Sequence, residues 1–471
     1  MLANHISSII REKFSDPLTE SQERLVDKLS QFILNTDDDH LLLVTGYAGT
    51  GKTTMLSVFV EMLDEVKMKS VLLAPTGRAA KVFAAYSGHH ALTIHKKIYR
   101  QKSLKDGIGK FVLDQNLHTR TLFIVDEASM ISNQRQEGIV FGSGYLLDDL
   151  IEYVYNDKGC KLIMVGDTAQ LPPVGLDISP ALSVLHLNKY TENLSTEMLL
   201  EVMRQKKQSG ILANATLIRN KIERNDFTLP VFDLGSYNDI IRINGQELLE
   251  VLNESYEKSG LDETIVISRS NKRANKYNEG IRRTILYREE ELVPGDLLMV
   301  VRNNYYWLRE DVDLDFIANG DIVEVVKIYK YYNMYGYRYA ECKLLLIDYN
   351  VEIDALLLLD VLHEETPALS SEKNKEMFFT VLEDYTEIKP KRKQYEKVRE
   401  NEYFNAIQVK YAYAVTCHKS QGGQWYTVFI DQGFMPKERI DREYLRWLYT
   451  ALTRATEKVY LVNFPDYFFD G

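Results

Sequence analysis

Between residues 40 and 167 the apolar positions fall into short unbroken runs separated by stretches of helical spacing. HLLLVTG (40–46), SVLLAPT (70–76), RTLFIVDEA (120–128) and CKLIMVGD (160–167) are apolar through their middles and polar at their ends. TTMLSVFVEMLDEV (53–66) and RAAKVFAAY (78–86), lying between them, repeat with helical period, and residues 19–34 read as an amphipathic helix opened by Thr19-Glu20-Ser21-Gln22. Strands that are apolar on both faces and alternate with helices predict a parallel sheet covered on both sides. In such sheets ligands gather at the carboxyl ends of the strands. Three of these runs stop in Gly, Asp or Glu, so their ends are expected to converge on one crevice.

A second α/β unit starts near residue 201, with the strand TIVISRS (264–270) and the helix NKRANKYNEGIRRTIL. From 292 to about 347 the pattern turns short, β-rich and turn-punctuated (VPGDLLMVVRN, ANGDIVEVVKIY, YRYAECKLLLIDY), which predicts a small β-barrel inserted in the second unit. A charged, aromatic region covers 350–405. The α/β pattern then returns with YAYAVTC, TVFIDQG, REYLRWLYTALTRA and KVYLVNF. The predicted fold class is α/β: two parallel-sheet lobes, a small hairpin insertion in the first and a β-rich insertion in the second. The expected boundaries are 1–200 for the first lobe with its insertion at about 96–120, 201–291 with 406–471 for the second lobe, and 292–405 for its insertion.

Composition changes this picture little. A chain of 471 residues is too long for one core. Its three cysteines, Cys160, Cys342 and Cys417, are widely spaced, which argues against a disulfide framework or a zinc site and fits a reducing, cytoplasmic setting. MLANHISSIIREKF has no signal-peptide pattern, and no apolar run is long enough to span a bilayer. A net charge of −11 argues against a basic coat protein but not against nucleic acid held in a local cleft.

The strand ends carry the chemistry. GYAGTGKTT (46–54) has the G-x-x-x-x-G-K-[ST] spacing between a strand and a helix. Gly46, Ala48, Gly49, Thr50, Gly51 and Thr54 supply a loop whose N–H groups can curl around phosphates at a helix N-terminus. Lys52 would reach the β- and γ-phosphates, and Thr53 would hold Mg²⁺. In VDEAS (125–129), Asp126 can complete the Mg²⁺ shell and Glu127 can orient or deprotonate an attacking water. VGDTAQLPPVG (165–175) ends a strand in a polar pair, a glutamine and two prolines. The Gln170 amide both donates and accepts, so it can distinguish triphosphate from diphosphate, and Pro172 and Pro173 stiffen the loop behind it.

GYAGTGKT, VDEAS and GDTAQLPPV, in this order, resemble motifs of the superfamily 1B DNA helicases of the RecD/Dda type, and the likeness runs from Gln22 to Phe464. The resemblance implies two RecA-like lobes, ATP and Mg²⁺ as cofactors, and 5′→3′ movement. It gives Gln22 an adenine-reading role, although Thr19-x-x-Gln22 also spells a capping box. In APTGRAAK it places Pro75 and Thr76 on the DNA backbone, and in ALTIH it does the same for Thr93 and His95. It sets Arg204 of EVMRQ and Arg454 of LYTALTRAT on the γ-phosphate as catalytic arginines, a task that suits a planar, always-charged fork. In YAVTCHKSQGGQW it assigns Thr416, His418 and Lys419 to DNA, and Gln421 and Gly422 to the vicinity of the phosphates. Gln424 departs from the family's acidic Q-G-x-E position, which weakens the expected grip on ribose. QKSLKDGIGKFVLDQN resembles the family's pin hairpin, with Phe111 as the wedge. The β-rich insertion resembles an SH3-like subdomain, where Tyr305, Tyr306 and Trp307 could stack on bases. KPKRK (389–393) reads as a solvated face.

The function expected is that of a monomeric ATP hydrolase that unwinds DNA from a single strand, with tailed or forked duplex as partner and no membrane. Two other classes compete with it: a translocase that strips proteins, and a nucleotide-switched binding module. A small-molecule kinase would have no use for the motifs after residue 400. The pathway, whether repair, recombination or replication, is not written in the residues.

Overall fold

The computed structural model describes residues 2–36, 39–101, 111–135, 141–156, 159–201, 209–235, 237–308 and 316–469. Among the described residues of the first 200, eight strands lie in chain order: β1 (Leu41–Gly46), β2 (Ser70–Ala74), β3 (Ala91–Thr93), β4 (Tyr99–Gln101), β5 (Phe111–Leu113), β6 (Leu122–Val125), β7 (Lys161–Gly166) and β8 (Leu194–Leu199). Six of them form a wholly parallel sheet in the order β3-β2-β6-β7-β1-β8. The unbroken apolar runs follow from burial on both faces. Leu42, Val44, Leu72, Ile124, Ile163 and Val165 enter the core cluster on one side, and Leu41, Leu43, Leu73, Val125, Leu162 and Met164 enter that on the other. Alternate side chains point to opposite faces, so a strand with two buried faces has no polar position to spare. β4 and β5 pair antiparallel as a separate hairpin whose tip lies outside the described residues.

The second half contributes β9 (Ile240–Ile243), β10 (Thr264–Ser268), β11 (Leu297–Val300), β12 (Ile322–Met334), β13 (Tyr337–Leu346), β14 (Val351–Leu358), β15 (Ile407–Tyr411), β16 (Ala414–Thr416), β17 (Trp425–Asp431) and β18 (Ala455–Val462). A second all-parallel sheet has the order β16-β10-β17-β18-β9. These two sheets, each with helices packed on it, are the two α/β lobes expected.

The inserted barrel is larger than its local pattern suggested. β11 to β15 close into one barrel. The expected region 350–405 therefore contributes β14, and β15 belongs to the barrel although it lies in the segment assigned to the second lobe. Closure depends on the parallel pair Leu357↔Ile407, which joins segments separated in sequence by two helices, Ser371–Leu382 and Lys391–Glu400. Local alternation cannot announce such a pairing. Residues 389–393 are exposed, as expected for KPKRK.

The barrel also touches the first lobe. Tyr305 and Phe316 stack with Phe111, Phe141 and His95; the Phe111–Tyr305 centroids are 4.8 Å apart and those of Phe141 and Phe316 5.7 Å. Among the described residues no helix is long and apolar enough to cross a membrane.

Candidate functional site at the lobe interface

Strand order brings the chemistry together. β6, β7 and β1 are neighbours, and their registers place Val125 beside Met164 and Thr45 beside Gly166. Asp126 and Glu127, Asp167, and the phosphate loop from Gly46 therefore leave the same edge of the sheet. The loop turns through left-handed backbone at Gly49 (φ +76°) and Gly51 (φ +87°) before the helix Lys52–Glu65 begins. A Cβ on Gly49 would lie 2.7 Å from Leu212, so glycine is needed there for space as well as for conformation. Lys52 Nζ donates to the carbonyls of Gly46 (2.7 Å) and Tyr47 (3.0 Å) and stands 4.0 Å from Asp167. Thr50 is buried, with its hydroxyl on Tyr47 O, whereas Thr53 and Thr54 are exposed on the first helical turn.

Asp126 accepts hydrogen bonds from the Tyr86 hydroxyl and from Glu127 N. Burial, followed by the charge of Glu127, pushes its pKa up to about 6. Glu127 itself takes left-handed backbone, φ +53°, a strained conformation for a residue with a Cβ. Gln170 is buried, and its Oε1 has no hydrogen-bond partner. An unsatisfied buried oxygen costs about 1–3 kcal/mol. It is suited to a donor that arrives with substrate.

The second lobe closes on these residues. Leu171, next to Gln170, is held on both sides of its backbone: Leu171 N donates to Thr450 Oγ1 (2.9 Å) and Gln421 Nε2 donates to Leu171 O (2.7 Å). Tyr449 donates to Asp167 Oδ2 (2.6 Å) and accepts from Ala48 N (2.8 Å). Arg446 donates to the carbonyls of Asp177 and Thr168. Arg446, Tyr449 and Thr450 were not singled out in the sequence, and Asp167 was noted only as half of the polar pair that ends its strand. The signal was present in REYLRWLYTALTRA, where 446, 449 and 450 share one face of a helix at i, i+3 and i+4.

The expected residues are distributed unevenly around this centre. Arg454 is buried and turned onto its own lobe, donating to Thr450 O and Gly423 O. Arg204 lies outside the described residues. Gln22 completes the capping box with Thr19, and its Nε2 donates to Thr50 O in the phosphate loop (3.0 Å). Gln421 meets the Leu171 carbonyl rather than the phosphate loop. Gly422, at φ +73°, lets its loop approach the first lobe, where a Cβ would be 2.9 Å from that of Ala79. Gln424 lines a crevice of about 210 Å³ with Arg78, Glu263, Asp348 and Trp425, and no phosphate-loop residue is among those that line it. The Arg78 guanidinium sits 3.9 Å over the Trp425 ring.

Thr76 and Thr93 cap helices, accepting from Ala79 N and Lys96 N, and Pro75 precedes Thr76 at the end of β2. Thr416 aligns with Ser268 at the carboxyl edge of the second sheet, ahead of His418 and Lys419. Lys419 Nζ is buried without a hydrogen-bond partner, and burial, then the charge of Lys410, pushes its pKa down to about 8. Burial pushes His95 down to about 4, so it is neutral at pH 7. Phe111 is 4% exposed among Phe141, Tyr305 and Phe316. The wedge expectation is corrected: a ring enclosed by aromatic neighbours presents no face to a base pair. Trp307 is tied to Asn405 O through its indole N–H.

Two parallel-sheet lobes meeting over a phosphate loop, with paired acids at the next strand end, define a two-lobed phosphate-loop ATPase. Residues 17–229 match a family model described as an AAA domain, and residues 411–462 one described as a UvrD-like helicase C-terminal domain. The chain is 28% identical over 210 residues to the ATP-dependent RecD2 DNA helicase of Deinococcus radiodurans, covering 44% of this chain and 24% of that protein. It is 23% identical over 335 residues to the ATP-dependent DNA helicase dda of Enterobacteria phage T4, covering 66% and 68%. An uncharacterized protein of Acanthamoeba polyphaga mimivirus is 23% identical over 510 residues, covering 93% and 98%. These matches agree with the resemblance to the superfamily 1B DNA helicases of the RecD/Dda type.

Proposed function

We propose that this chain is an ATP-driven motor that moves 5′→3′ on single-stranded DNA and unwinds the duplex ahead. The observation that carries the reading is the double hold on Leu171. Gln170, whose buried Oε1 has no hydrogen-bond partner, is joined by one peptide to a backbone unit bonded to the second lobe through Thr450 and Gln421. A change at Gln170 is therefore felt by the lobe that carries Thr416, His418 and Lys419.

The residues fit a Mg²⁺–triphosphate by the chemistry of their donors. Thr53 and Asp126 would supply the hydroxyl and carboxylate that hold the metal, whose charge would offset that of the phosphates. Lys52 exchanges its carbonyl partners for phosphate oxygens. Gln170 orients the attacking water and Glu127 takes its proton. Arg454, and Arg204 with it, would reach the γ-phosphate from the second lobe, and an arginine in this role contributes about 10³–10⁵ in rate. Pro75, Thr76, Thr93, Thr416, His418 and Lys419 would hold the strand mainly by its phosphates, with little sequence preference. The direction of movement rests on family resemblance. Single-strand movement with little unwinding is the second reading, and the burial of Phe111 favours it.

The test is strand displacement on duplexes with a 5′ tail, a 3′ tail or blunt ends, with Lys52→Ala as control. Opening of the 5′-tailed duplex alone, abolished by Lys52→Ala, is the expected result. Opening of the 3′-tailed duplex reverses the direction. Hydrolysis stimulated by single-stranded DNA without strand opening selects the second reading. Hydrolysis indifferent to DNA overturns both.

A further inference from the structure

Tyr449 is a side chain at the lobe interface that the proposed chemistry leaves unused. It is 1% exposed, on the helix Arg442–Leu452 of the second lobe, and its hydroxyl makes two bonds into the first lobe. The single O–H is donated to Asp167 Oδ2 at 2.6 Å, and a lone pair accepts the Ala48 amide at 2.8 Å. The two partners differ in kind. Ala48 N–H belongs to the phosphate loop, whose backbone amides are the kind of donor that a bound phosphate would recruit. Asp167 opens the loop that leads to Gln170 and accepts Ala169 N with its other oxygen. One hydroxyl of the second lobe thus bridges the nucleotide-binding loop and the base of the loop carrying Gln170.

The bridge has a built-in competition. A phosphate oxygen that takes the Ala48 amide removes the donor from Tyr449 and leaves its bond to Asp167. The next residue, Thr450, holds Leu171 N, so the same helical turn grips the sensing loop at both ends. Asp167 is 1% exposed and burial raises its pKa, so a short hydrogen bond to its carboxylate is a needed compensation.

We propose that Tyr449 is a positioning residue that couples phosphate-loop occupancy to the second lobe, and so sets the difference in single-strand affinity between nucleotide states. This rests on the motor reading above and names the side chain through which nucleotide is reported to the DNA-holding lobe.

The test compares a fluorescent single-stranded oligonucleotide bound in ADP with the same oligonucleotide bound in a non-hydrolysable ATP analogue. Allosteric coupling in proteins typically changes affinity about 5- to 150-fold, and the wild-type ratio is expected in that range. Tyr449→Phe keeps the ring and loses both bonds while the Thr450 and Gln421 holds remain, and its ratio is expected to fall several-fold below the wild-type value, by about 5-fold or more, while the oligonucleotide remains bound. A ratio left at the wild-type value overturns the proposal. Wild-type protein that fails to bind the oligonucleotide overturns the motor reading, and the proposal with it. Melting curves establish whether Tyr449→Phe is folded. If it is not, Asp167→Asn replaces the charge-assisted bond with a neutral one from the opposite lobe. A partial fall in its ratio supports the relay, and an unchanged ratio overturns it.

Discussion

Lys419 illustrates how burial gives a residue a measurable signature. Its ammonium is enclosed without a hydrogen-bond partner, beside the similarly buried Lys410, whose own Nζ is committed to the carbonyls of Val361 and Glu364. Burial pushes both lysines down to about 8, with Lys410 adding repulsion at Lys419 and Glu364 opposing the shift at Lys410. The sign follows directly. On the proposed reading that Lys419 holds the strand, below pH 8 it is an unpaired cation that would gain from a phosphate, and above pH 8 it is neutral and would gain little. Affinity for single-stranded DNA is therefore expected to fall between pH 7.5 and 9, a range in which the phosphodiesters themselves do not titrate. Lys419→Arg, which keeps its charge throughout, should flatten that alkaline limb. Fluorescence anisotropy across the pH range, at fixed salt, checks both.

At the scale of elements, the barrel is fastened to the second lobe by a buried ionic network. Asp296, 0% exposed and one residue before β11, accepts from Arg282 through Nε and Nη2, and from Arg288, Val293 N and the Tyr413 hydroxyl. Arg282 lies in the π-helical turn Ile281–Ile285 that ends the helix Asn271–Gly280, and Tyr413 separates β15 from β16. The network therefore sits where the chain leaves the lobe and where it returns. Removing one partner from a buried ion pair costs about 3–5 kcal/mol, because the remaining charges stay enclosed. Asp296→Ala should accordingly lower the melting temperature and the urea midpoint, and Asp296→Asn, which keeps acceptor geometry, should do so less.

At the scale of the whole molecule, the barrel bridges both lobes. It is covalently and ionically part of the second, yet Tyr305 and Phe316 reach the hairpin side of the first. A large aromatic truncated in such a cluster costs about 3–5 kcal/mol. Phe316→Ala should release the barrel from the first lobe while both sheets keep their order. The expected readout is a larger radius of gyration by small-angle scattering with little change in far-ultraviolet circular dichroism. An unchanged radius would mean that the Lys81–Asp348 ion pair and the Arg78–Trp425 stack hold the closed arrangement without the aromatic cluster.

The sequence by itself determined what depends on neighbours in the chain. Strands apolar on both faces, a glycine loop ending in Lys52, paired acids at Asp126 and Glu127, and a glutamine before two prolines all declare themselves within ten residues. Their chemistry needs that spacing. The capping box at Thr19 and Gln22 was legible for the same reason. What joins distant segments was not. Tyr449 and Asp167 lie 282 residues apart, and nothing in the stretch of chain around either one points to the other. Phe111 looked like an available wedge until Phe141, Tyr305 and Phe316 surrounded it, and β15 looked like the return of the second lobe until it closed the barrel. Only the tertiary structure decided these points, because burial and hydrogen-bond pairing are properties of surfaces brought together by folding, whereas periodicity and loop chemistry are properties of the chain.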